Sequence, residues 1–173
     1  MSSAGSPRSA LALAPMLALV LSVTVGSTAA QAQNAGQIAQ VRQGAHCPKC
    51  NLFQADLGGR ELRGRNLSGA RLRQADLSLA IMNRSNFAGA DLRDVEAYGA
   101  LFASASFAGA DLSQASFVGT HLQGANFRGA RLTGTNFSGA EMDRATGLTQ
   151  AQLSQACGDA STRLPPGLRI PAC

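Results

Sequence analysis

Residues 105–119 read ASFAGADLSQASFVG, three five-residue units end to end: Ala105-Ser106-Phe107-Ala108-Gly109, Ala110-Asp111-Leu112-Ser113-Gln114 and Ala115-Ser116-Phe117-Val118-Gly119. Each opens on a small residue and places a large apolar one two positions later. Stepping by five in both directions from Leu112 gives nineteen positions from Leu52 to Met142, all Leu, Met or Phe except Ala97. Two residues before each centre lies a small side chain with few exceptions, as at Ala55, Ala70, Ala75, Ala80, Ser85, Ala90 and Ala100. A period of five matches neither the 3.6 of a helix nor the 2 of a strand, so the backbone must turn regularly. If each unit forms one side of a square, the centre and the small residue point inward and the other three point outward. Glycine two after the centre, as at Gly59, Gly89 and Gly109, suits a corner.

Ala90-Asp91-Leu92-Arg93-Asp94, Ala110-Asp111-Leu112-Ser113-Gln114 and Ala125-Asn126-Phe127-Arg128-Gly129 resemble the A-(D/N)-(L/F)-x-x units of the pentapeptide-repeat family. The resemblance implies an all-β, right-handed quadrilateral β-helix of about five coils. Four units make a coil, so residues twenty apart stack. The columns are then Leu52, Leu72, Leu92, Leu112, Leu132; Leu57, Leu77, Ala97, Phe117, Phe137; Leu62, Met82, Phe102, Leu122, Met142; and Leu67, Phe87, Phe107, Phe127. Like stacks on like, with a gap at Ala97 that Val95 of the same unit is expected to fill. Arg60 and Arg65 occupy small inward positions, where a buried unpaired charge is costly. They are expected to leave through the open N-terminal end and to make the first coil irregular. Some members of the family resemble duplex DNA through an acidic rod and bind topoisomerases. This chain has 15 basic and 10 acidic residues and no acidic face, which argues against that role and against nucleic acid as a partner.

The repeat divides the chain into residues 1–32, 33–49, 50–146 and 147–173. Arg8, an uncharged stretch from Ser9 to Gln33 and Ala30-Gln31-Ala32 read as an export signal cleaved after Ala32. The apolar heart, Ala10 to Val25, falls short of the ~20 residues that span a bilayer, so no membrane-spanning segment is expected after cleavage. The expected location is periplasmic or extracellular, where disulfides persist. Residues 33–49 read as a lid or linker, with Ile38 and Val41 facing the open end. Residues 149–157 read as a short capping helix with Thr149 at its N-cap and Leu153 toward the coil. Leu164-Pro165-Pro166-Gly167 opens an irregular tail.

Nearly five coils rise roughly 20 Å, too far for end-to-end pairing of cysteines, since bridged Cα atoms lie within about 7 Å. Cys47 is expected to pair with Cys50, and Cys157 with Cys173. A C-x-x-C pair can also be a redox centre or half a metal site. A redox pair wants a helix N-terminus after its first cysteine, and zinc needs two further ligands where only the adjacent His46 offers one. Asn51, not His, follows Cys50, which argues against haem attachment.

No nucleophile stands with a base and an orienting group, so the chain reads as a non-enzyme with no catalytic residues, metal or cofactor. Two surfaces stand out. Leu79, Ile81, Tyr98, Leu101 and Val118 are apolar at outward positions around one corner of the middle coils, a candidate face for a protein partner or self-association. Arg60, Arg63, Arg65, Arg71 and Arg73, with Arg42 and Lys49, make a basic N-terminal end that suits an anionic envelope polymer. The expected role is a structural or interaction module of the cell envelope. An electrostatic polymer binder and a thiol-redox role for Cys47 and Cys50 stand as alternatives.

Overall fold

The computed structural model describes residues 33–173, so the export-signal reading of residues 1–32 lies outside the described residues. Four bridges recur in every coil, each joining residues twenty apart in parallel: Asn51 to Arg71, Asp56 to Asp76, Glu61 to Ile81 and Asn66 to Asn86, then Arg71 to Asp91, and so on to Asn126 with Thr146. The repeat therefore winds into a four-faced solenoid, whose faces we number from the one bearing Leu52.

The consensus follows from how one unit disposes of its five backbone N–H groups, as the stretch Ala90 to Asp94 shows. The central Leu92 and the corner residue Asp94 donate to the next coil, at Asp111 O (2.7 Å) and Ser113 O (3.1 Å). Asp91 donates to the preceding coil at Ala70 O (2.9 Å), and Ala90 closes a turn onto Phe87 O (2.9 Å). The N–H just after the centre has no backbone partner. It is taken by the side chain just before the centre: Arg93 N donates to Asp91 Oδ1, Ala88 N to Asn86 Oδ1 and Ser138 N to Asn136 Oδ1. Asp or Asn is thus chosen for a short acceptor that reaches two residues ahead, and no donor of the unit is left unmade.

The corner residue takes a positive φ, which explains its glycines. Gln54, Gln74, Leu79, Arg84, Asp94, Ser104 and Gln114 hold the same conformation with φ between 53° and 61°.

The interior is a stack of centres. Phe87, Phe107 and Phe127 lie face over face with centroids 5.2 Å apart, and Phe102 and Phe117 meet Phe107 edge-on at 5.4 and 5.8 Å. Offset stacking and edge contact are the arrangements that aromatic quadrupoles favour. Val95 and Ala97 are both fully buried, so the expected companion of the small centre does enter the core. Ser85, Thr120 and Thr135 are buried at small positions, with hydroxyls donating to Leu62 O, Phe117 O and Leu112 O.

The first coil is regular, contrary to the expectation drawn from Arg60 and Arg65. Leu57, Leu62 and Leu67 are buried and pair with the second coil at 2.8 Å like any later centre. Arg60 is exposed, and Arg65 turns to the cap, donating to Gly44 O and, through Nε, to Arg63 O. Ser85 completes the accommodation: its Oγ accepts from Arg65 N (3.1 Å) while donating to Leu62 O, standing in for the turn bond. The backbone therefore keeps its register while the charges leave it.

Both ends are covered. Helix α1 (Ala35–Arg42), with Asn34 as N-cap, buries Ile38 and Val41 on the open N-terminal end. At the other end α2 (Gln150–Leu153) is shorter than the expected helix to Cys157, and its capping box joins Thr149 and Gln152. The chain leaves the helix because Cys157 must pair with Asn136, where its carbonyl accepts from Phe137 N (2.8 Å). Leu153 is fully buried, and Gln152 Nε2 donates to Phe127 O and Ala130 O of the last full coil.

Replacing Phe107 with Ala is expected to cost about 3–5 kcal/mol in urea unfolding, because it empties the centre of the aromatic stack. Asn86→Ala, which strands one N–H, is expected to cost about 1 kcal/mol.

Candidate interaction surfaces

The bridge positions decide what each face shows. The second face stacks Asp56, Asp76, Glu96, Ser116 and Asn136; the third stacks Glu61, Ile81, Leu101, His121 and Glu141. Leu79 and Tyr98 stand at the corner between these two faces, where Leu79 N donates to Tyr98 O (2.8 Å) and Gly99 N to Val118 O (2.9 Å). The Leu79 side chain lies over Gly99, its Cδ2 3.0 Å from where a Cβ there would stand. The five apolar residues singled out from sequence thus form one surface: Leu79, Tyr98 and Val118 up the corner, with Ile81 and Leu101 bridged beside it. Leu79 is 61% exposed and Tyr98 58%, while Ile81, Leu101 and Val118 are half-buried. Below this surface the column turns polar, His121 lying 3.5 Å from Glu141, which also meets Arg163.

The basic residues lie in the N-terminal cap and the first two coils but are spread around the rod rather than gathered on one surface. Arg42 of α1 pairs with Asp56 (3.2 Å) and Arg63 with Glu61 (2.9 Å), exposed pairs of modest worth, and Arg73 pairs with Asp94 (3.0 Å) half-buried. Arg71 stands on the first face and Arg73 at the corner beyond it, whereas Arg63 and Arg65 belong to the diagonally opposite corner. Summed charge overstated this patch because the twenty-residue winding separates positions that are neighbours in sequence. Arg84, which the sequence reading passed over, stacks within that opposite corner together with Asn83 and Ser104; adding twenty to Arg63 and Gly64 would have found it.

Both disulfides are present, Cys47 with Cys50 and Cys157 with Cys173, at Cα separations of 5.5 and 4.8 Å. Cys47 sits five residues before Leu52, and its N–H donates to Asn66 O just as a centre's would. The repeat therefore begins one unit before Asn51. Its first turn, from Cys47 to Cys50, is closed covalently as well as by hydrogen bond. Both sulfur-bearing residues face the core, 5% and 8% exposed. His46 accepts from Asn66 N through Nδ1, and no cluster among the described residues gathers three His, Cys, Asp or Glu groups suited to a metal.

The profile of the family described as pentapeptide repeats matches the chain in eight copies, over residues 50–94, 110–146 and 121–157. No curated protein matches. Among solved structures the chain is similar to HetL, a pentapeptide repeat protein involved in heterocyst differentiation regulation from the cyanobacterium Nostoc sp. strain PCC 7120: 35% identity over 59% of this chain and 48% of that one, TM-score 0.56. The chain thus spans about half the length of HetL. A pentapeptide repeat protein of the Arabidopsis thaliana thylakoid lumen is 30% identical over 54% of this chain and 57% of that one, TM-score 0.32.

The C-terminal closure carries a titratable latch. Asp159 Oδ1 accepts from the Ser161 hydroxyl (2.7 Å), Gly139 N (2.9 Å), Ser161 N (3.0 Å) and Thr162 Oγ1 (3.1 Å). These bonds, the Ser161 hydroxyl first, hold its pKa down at about 2. A depressed carboxylate stabilises the folded state above its unfolded pKa of about 4 and loses that contribution as pH falls through the folded value. Amide exchange at Gly139 and Ser161 should therefore quicken as pH is lowered from about 4 to about 2, beyond the intrinsic trend, and Asp159→Asn should abolish that step.

Access sets a second expectation. Cys173 is exposed whereas Cys47 and Cys50 are buried, so mild reductant should open Cys157–Cys173 first. Mass-resolved thiol labelling reads the order; opening of Cys47–Cys50 first would favour the redox alternative.

Proposed function

The chain belongs to the pentapeptide-repeat family, and from that premise we propose that it is a non-catalytic protein-interaction scaffold of the cell envelope. Its working surface is the apolar corner between the second and third faces. The right-handed sense of winding is taken from the same family membership. One observation carries the choice of surface: Leu79 and Tyr98 are the large apolar residues left exposed among the described residues, and both stand on this corner.

The coil supports such a role because its stability is internal. The ladder bonds and the core centres do not use the outward side chains, so a face can carry apolar side chains at little cost to the fold. Elsewhere outward positions hold polar or small residues, Phe53 excepted. Burying Leu79, Tyr98 and their neighbours against another protein returns about 25 cal/mol per Å2 of apolar surface. The envelope assignment draws on the two disulfides, which persist in an oxidising compartment, and on the sequence of residues 8–32.

Leu101→Glu places a charge in the middle of this surface without entering the core. Light scattering of the full chain, with pull-down from envelope fractions, should show loss of association by at least tenfold, about 1.4 kcal/mol, at unchanged thermal stability. Undiminished association by the variant would rule this corner out.

A further inference from the structure

At the corner between the third and fourth faces three successive coils present Arg63-Gly64, Asn83-Arg84 and Ala103-Ser104 around an open groove of about 510 Å3. The floor is low: Gly64 has nothing within 4 Å of where a Cβ would stand, and Ala103 contributes only a methyl. The lining is rich in donors. The Arg84 guanidinium has no partner among the described residues, and Arg63 is engaged by Glu61 through Nε alone. Arg65 is spent elsewhere, donating to Arg63 O through Nε (2.9 Å) and to Gly44 O of the cap, and does not line the groove. Asn83 Oδ1 accepts from Ala103 N (2.8 Å), leaving its amide N–H groups as donors, and the Ser104 hydroxyl is unpartnered among the described residues.

Gly64 N and Arg84 N are spent on Asn83 O and Ala103 O in the coil ladder at 2.8 and 2.9 Å, so the guanidiniums, the Asn83 amide and the Ser104 hydroxyl are the side-chain donors that read a ligand. Arg63 and Arg84 rise from adjacent layers, about 4.8 Å apart. Like charges raised on adjacent layers repel each other, and an anion held between them relieves that repulsion. Guanidinium forks match the paired oxygens of phosphate and carboxylate.

We propose that this corner groove is a binding site for an oxyanionic group, phosphate or carboxylate. The site is distinct from the apolar corner, which is the neighbouring corner across the third face.

The test is an amide-resonance titration of the full chain, at low salt, with inorganic phosphate and separately with citrate. Saturable shifts should centre on Gly64, Arg84 and Ser104 and weaken steeply as salt is raised. Arg84→Gln should lower affinity about fivefold or more, and Arg71→Gln, on the first face, by less than about twofold. Gln already holds this corner conformation at Gln54, Gln74 and Gln114, so the substitution keeps the backbone. Saturation by phosphate alone, by citrate alone or by both supports the groove and identifies which oxyanion it takes. Equal losses in the two variants, or shifts that do not saturate at this corner with either probe, would overturn it.

Discussion

Everything in this molecule depends on one constraint: the backbone N–H groups of the repeat must find acceptors while the chain turns a right angle every five residues. In Ala90–Asp94 four have backbone partners, in the coil above, in the coil below and across the turn, and the fifth is served by the Asp91 side chain, as it is wherever Asp or Asn precedes the centre. The small residue, the Asx residue and the large centre are three answers to that single geometric demand. Because the ladder is parallel and in register, each centre lies on its counterpart twenty residues away, and the aromatic column arises without any further specification.

The same ladder creates a difficulty at its ends, where donors, acceptors and apolar centres would face water. The two ends meet it differently. Helix α1 lays Ile38 and Val41 across the N-terminal opening, and Cys47–Cys50 closes the first turn covalently. At the C-terminal end α2 buries Leu153 in the core, and the tail returns along Gly158, where Gly158 N donates to Pro171 O and Cys173 N to Gly158 O, with Cys157–Cys173 as the clasp. The cysteines are placed where the repeat pattern no longer supplies neighbours.

Function is left to the outward positions, on which the ladder puts few demands beyond the Asx side chain. Two neighbouring corners use that freedom in opposite ways: one gathers Leu79, Tyr98 and Val118, the next gathers Arg63 and Arg84 around a groove.

The period, the inward and outward assignment and the four columns were legible in the sequence, because a five-residue repeat sustained over nineteen centres admits few backbones. So was the apolar corner, since stacking by twenty is simple arithmetic once the period is known. Tertiary structure alone decided what depends on contacts between coils and caps. It showed that Arg60 and Arg65 leave the axis without disturbing the first coil: Arg60 is exposed, and for Arg65 Ser85 receives the backbone and Gly44 the guanidinium. It stopped α2 at Leu153 by pulling Cys157 into the ladder, and it divided a run of basic residues between opposite corners. Local sequence records which residues are near along the chain; in a coil of twenty residues per turn, charge and shape are set by those that are near across it.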